Sequence, residues 1–188
     1  RVVDEVAPVI TLKGEQSVTV NVGENYKDAG ATANDDVDGD ITQSIEITGL
    51  IITGTPGVYT LTFNVKDKSG NAAASVVRTV RVVDEVAPVI TLKGEQSVTV
   101  NVGENYKDAG ATANDDVDGD ITQSIEITGL IITGTPGVYT LTFNVKDKSG
   151  NTAASVVRTV RVVDEVAPVI TLKGEQSVTV NVGENYKD

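Results

Sequence analysis

Apolar and polar residues alternate along this chain in short runs, and no long run keeps a helical period. The clearest run is residues 58–66. Tyr59, Leu61, Phe63 and Val65 fall on one face, and Thr60, Thr62, Asn64 and Lys66 on the other. Residues 17–22 alternate as cleanly, with Val18, Val20 and Val22 together. Residues 8–12 form a first strand broken at Lys13-Gly14, and residues 29–34 a short one with Ala31 and Ala33 inward. Residues 34–40 form a loop. Residues 41–48 then make a strand with Ile45 and Ile47 inward, and residues 50–52 another. Thr55-Pro56-Gly57 is a turn in which Pro presets φ and Gly accepts a positive one. Residues 67–71 are a hairpin loop before a last strand over 73–83, with Val76, Val80 and Val82 inward. Seven short strands at this spacing predict a β-sandwich around one core.

The whole pattern repeats. Residues 1–80 recur as 81–160 with one change, Ala72 to Thr152, and residues 161–188 begin a third copy. An 80-residue unit is long enough to fold alone, unlike a solenoid repeat. The expected organisation is the end of a preceding unit over 1–6, one domain over 7–83, a linker over 84–86, a second domain over 87–163, and a linker with an incomplete third unit over 164–188. The linker is short and runs into Pro88, which restrains neighbouring domains. With no Met anywhere, the chain reads as a window on a longer array. Val169, Ile170, Leu172, Val178, Val180 and Val182 have no facing sheet within the partial copy. That copy reads as a boundary within the array, with strand donation to another molecule as the alternative.

Charge narrows the partners. Fifteen basic against 27 acidic residues leave −12, which argues against nucleic acid and anionic membrane surfaces and favours cations. No apolar run is long enough to insert directly into a membrane. Without Cys there is no disulfide frame, and without Cys or His neither a nucleophilic triad nor a zinc or copper site is expected.

Several segments together resemble bacterial surface immunoglobulin-like repeats and the related hyalin repeats. They are Ala7-Pro8-Val9-Ile10-Thr11-Leu12, Gly30-Ala31-Thr32-Ala33-Asn34-Asp35, Asp38-Gly39-Asp40-Ile41-Thr42, Pro56-Gly57-Val58-Tyr59, and residues 65–71. The resemblance implies tandem seven-strand immunoglobulin-like sandwiches, an all-β elongated array, in an extracellular, cell-surface setting. Tyr59 then stands at the tyrosine corner. Leu61 and Ala31 or Ala33 fill the two cysteine slots, and Ile45 or Ile47 the core tryptophan slot.

In that strand order, two loops and the chain entry share one pole. Asp4, Glu5, Asp35, Asp36, Asp38, Asp40 and Asp67 gather there. The junction between the repeats offers Asp84, Glu85, Asp115, Asp116, Asp118, Asp120 and Asp147. Crowded carboxylates repel, and a hard cation removes that cost. Calcium takes six to eight oxygens in flexible geometry, so it is the expected ion. The alternative is that these acids serve turns and solubility. The loop is not an EF-hand, because Ile45 stands where a bidentate Glu is required. The connector 84–88 looks similar in kind to the acidic, Pro-ended linkers of cadherins. A Lys13–Asn64 isopeptide link has no spacing signal behind it.

A site built once is the usual mark of an enzyme; repetition supplies length or multivalency. The expected function is therefore a stalk or fibre module, calcium-stiffened at its junctions and not an enzyme. The alternative is a multivalent adhesin whose repeats bind an unknown ligand. Expected partners are neighbouring repeats and like chains in a fibre.

Overall fold

The alternating run of residues 58–66 does become the central strand of its domain. The computed structural model describes residues 3–187. In the first repeat, β1 (Val9–Leu12), β3 (Ala31–Asp35) and β4 (Gly39–Asp40) form a three-stranded sheet in the order β1-β3-β4. Facing it, β2 (Ser17–Asn21), β5 (Glu46–Thr48), β6 (Gly57–Asn64) and β7 (Val76–Val83) form a four-stranded sheet in the order β2-β7-β6-β5. All pairings are antiparallel except β2 with β7, which run parallel from Ser17↔Thr79 to Asn21↔Val83.

The second repeat copies this arrangement. Its first sheet holds β8 (Val89–Leu92), β10 (Ala111–Asp115) and β11 (Gly119–Asp120). Its second holds β9 (Ser97–Asn101), β12 (Glu126–Thr128), β13 (Gly137–Asn144) and β14 (Val156–Val163). Each domain closes over Ile10, Ala31, Ala33, Leu61, Phe63 and Val65 or their counterparts, the inward positions of both sheets. Tyr59 Oη donates to the Thr55 carbonyl at 2.9 Å, a tyrosine corner in place.

Three strand expectations are corrected. Residues 41–48 are not one strand. The Thr42 hydroxyl accepts from Ala33 N–H at 3.0 Å, and Asp40 accepts from Thr42 N–H at 2.9 Å. These bonds hold a single 3-10 turn, Thr42–Ser44, and only Glu46–Thr48 remains as an edge strand. Ile45 still packs on the core, whereas Ile47 sits at the sheet edge and is 51% exposed. Residues 50–52 make no strand. Gly49 precedes them at φ +117°, where a Cβ would overlap the Thr60 carbonyl oxygen, so the chain swings away from β6. Residues 34–40 are more than a loop, since Asp35↔Gly39 closes a β3–β4 hairpin.

A buried arginine, Arg78, crosses one end of the core. Its guanidinium donates to Asp28 at 2.6 Å and to the Lys13 and Glu15 carbonyls, and it lies over the Phe63 ring. Tyr26 Oη donates to the same Asp28 carboxylate at 2.7 Å. Arg158, Asp108 and Tyr106 repeat the set. Residues 164–187 carry no strand, and Val169, Ile170 and Val182 stand exposed there.

Candidate metal centre

The β3–β4 hairpin fixes the first carboxylate. Asp35 ends β3, and its Oδ1 accepts from Val37 N–H at 3.0 Å and Asp38 N–H at 2.8 Å, so the turn holds the side chain in place. The second carboxylate lies just beyond β6. Asp67 Oδ1 accepts from Asn71 N–H at 2.8 Å, and Asp67 Oδ2 from the Asn71 side-chain amide at 2.6 Å. The same amide donates to the Asp4 carbonyl at 3.1 Å, which pulls the entering chain onto the loop. Asp4 is the third carboxylate, its Oδ1 accepting from Val6 N–H at 3.1 Å.

One carboxylate oxygen from each of Asp4, Asp35 and Asp67 lies within 4.8 Å of the other two. At the junction, Asp84, Asp115 and Asp147 make the same group within the same 4.8 Å. Asn151 plays the part of Asn71, donating to Asp147, to the Asp84 carbonyl and to the Val86 carbonyl. All three junction aspartates are buried, at 8%, 3% and 8% exposure for Asp84, Asp115 and Asp147. The Oδ2 atoms of Asp4, Asp35, Asp84 and Asp115 are buried with no hydrogen-bond partner. Among the described residues, no salt bridge reaches any of the six carboxylates.

The other acids of the pole lie outside these groups. Asp38 accepts from Lys68 N–H at 2.8 Å and from Lys68 Nζ at 3.0 Å, and those two bonds hold its carboxyl below the usual range. Asp118 does the same with Lys148. Asp40 and Asp120 cap the 3-10 turns through Thr42 and Thr122, whose hydrogen bonds also lower their carboxyls. Glu5, Asp36, Glu85 and Asp116 are exposed. The two asparagines sit beside the sequence's acids in the loop, yet only the fold shows that they bind linker to loop.

Two facing sheets with a parallel contact between the second and last strands and a corner tyrosine define an immunoglobulin-like sandwich, present twice. The family described as bacterial surface protein, Ig-like domain, matches residues 10–82 and 90–162, and the chain belongs to that family. It is also similar to the "Uncharacterized 81.3 kDa protein" of Acholeplasma phage L2, 35% identical over 102 residues, half of this chain. The pesticidal crystal protein Cry22Aa of Bacillus thuringiensis is 29% identical over 149 residues, 73% of this chain. The matches span only 13% and 20% of those two relatives. Among solved structures, the CBM51-2 and INT domains of Clostridium perfringens ZmpB, in complex with GlcNAc, are 32% identical. That match covers 42% of this chain and 17% of that one, with a TM-score of 0.35. Among the described residues, no helix is long and apolar enough to cross a membrane.

Proposed function

We propose that this chain is a stalk segment of a bacterial surface protein, in which calcium ties each linker to the loops of the domain it enters. The observation behind this reading is the pair of buried, unpartnered oxygens on Asp84 and Asp115, grouped with Asp147. Two carboxylates within 4.8 Å of each other repel by about 3 kcal/mol or more at an effective dielectric of about 20. Three such pairs around a buried point need a counter-charge. Calcium binds oxygen at about 2.3–2.6 Å, so oxygens sharing one ion lie up to about 5 Å apart. Oxygens that all lie within 4.8 Å of one another fit that span. Aspartate oxygens with nearby backbone carbonyls are the hard donor set calcium prefers.

Asp84 gives the site its mechanical meaning. It follows Val83, the last residue of β7, and its carboxylate lies against the loops of the next domain. An ion held there fixes the exit of one domain to the head of the next, and repetition extends the stiffened unit along the array. Binding near 10⁻⁴–10⁻³ M, typical of extracellular modules, suits a cell-surface setting. Such a role needs no catalytic group and no ligand beyond the ion and the neighbouring repeat.

Thermal unfolding and small-angle scattering of the chain, with calcium and with chelator, test this. At 100 times Kd, calcium adds about 2.7 kcal/mol per domain. For a domain of this size that raises Tm by more than about 10 °C, and the particle becomes longer and stiffer. If neither quantity changes, the acids serve turns and solubility, and the stalk loses its metal.

A further inference from the structure

The two repeats have the same residues at every position of the junction, so a large difference in exposure there points to contact with a neighbour. Val37, on the β3–β4 turn of the first repeat, is 67% exposed. Its counterpart Val117 is partly buried. On the other side, Val22 of the first repeat lies at the junction with the second. Asp84 is buried, Asp4 partly so, and Asp164 exposed. A cleft of about 130 Å³ lies between the two sides. It is lined by Asn21, Val22 and Val83 of the first repeat, Asp84, Glu85 and Val86 of the connector, and Asp116 and Val117 of the second.

We infer that Val117 is a docking residue for the preceding repeat, and that its docking is coupled to cation binding by Asp84, Asp115 and Asp147. The two metal sites of the chain are then unequal, the junction site binding calcium more tightly than the Asp4 site. This rests on the calcium reading above. The turn that carries Val117 also carries Asp115, whose Oδ1 accepts from Val117 N–H at 2.9 Å. A cation that draws Asp84 toward Asp115 therefore draws β7 and Val22 toward Val117. Valines closed over this cleft would in turn keep water from Asp84, where a lower dielectric strengthens its hold on the ion. Coupling of this kind is reciprocal: the ion tightens the interface as much as the interface tightens the ion.

Calcium titration by calorimetry tests the inference on the whole chain and on five variants. Asp35→Asn reports the junction site alone, and Asp115→Asn the first site alone. We expect the junction site to bind at least about fivefold more tightly, the lower end of typical coupling. Val117→Ser should remove most of that advantage. Val37→Ser, the same change on the same turn without a neighbour, should leave the first site unaltered. Val22→Ser approaches the cleft from the other repeat and should match Val117→Ser, with circular dichroism showing each variant folded. Equal affinities at the two sites, or a junction site indifferent to both valine changes, would overturn the coupling while leaving calcium binding intact. No heat of binding at any calcium concentration would overturn the calcium reading and the coupling with it.

Discussion

Asp35 carries two duties on two oxygens. Oδ1 holds the turn through Val37 and Asp38, and Oδ2 is buried without a hydrogen-bond partner in a residue of the carboxylate group. Asparagine keeps the first duty and changes the second, since its amide can donate where Oδ2 stood and one negative charge is gone. Asp35→Asn should therefore stabilise the first domain in chelator, by about 1–3 kcal/mol from relieved repulsion. With saturating calcium the order should reverse, because the variant lacks a ligand. Paired melting curves read the crossing; a variant that is less stable in both conditions would mean that Oδ2 faces no cation. The crowding of acids at this pole was legible from charge and strand order. Which acids form the group was not. Asp38 and Asp40 belong to the same run as Asp35, but Lys68 and Thr42 have already claimed them, and those partners are fixed only by the fold.

Within an element, alternation reveals a strand only while neighbouring backbone groups are its best partners. It located β2 and β6 to within a residue or two, because every second side chain there is turned from solvent, partly in β2 and into the core at Leu61 and Phe63. It failed over residues 41–48, where a threonine hydroxyl and an aspartate cap offered the backbone a nearer bond. It also gave no sign of Arg78, which sits on an inward position of β7 and is buried. The guanidinium is tolerated there because Asp28 and two carbonyls satisfy it. Burial raises the Asp28 carboxyl, but hydrogen bonds from Tyr26, Arg78 and Gly30 N–H outweigh it and leave the group below its ordinary value. A carboxyl depressed in the folded state contributes stability at neutral pH. That contribution is full above about pH 4 and is lost as pH falls through the lower folded value. Asp108 behaves alike. Acid titration of stability should thus show a loss beginning below about pH 4. Asp28→Asn should remove that part of the slope and cost about 3 kcal/mol at neutral pH, since it leaves a buried arginine short of its anion. An unchanged acid limb would show that other carboxylates govern it.

On the scale of the whole molecule, the connectivity decides how each domain carries load. The chain enters each domain through β1 and β2 and leaves through β7, and β2 and β7 lie parallel over five residue pairs. Tension on the two chain ends pulls β2 toward the entry pole and β7 toward the exit pole. All the bonds between them are then loaded together in shear. The β6–β7 pair is different. It is antiparallel, with Gly57 opposite Val82 at the exit pole, so a force that parts those two points opens the ladder one bond at a time. The chain has no cysteine, and single thiol handles can be placed without ambiguity. Force spectroscopy through the chain ends should unfold the first repeat at several-fold higher force than pulling between handles at Thr55→Cys and Glu85→Cys. On the proposed calcium reading, the ion should raise the end-loaded force further, because Asp4 and Asp84 lie where tension enters each domain, grouped with carboxylates of loops deeper in the sandwich. Equal forces in the two geometries would mean that the parallel β2–β7 contact does not bear the load, and the domains would then be spacers rather than mechanical elements. A calcium effect confined to thermal melting, with no change under end loading, would place the ion outside the force path and leave it a role in folding alone.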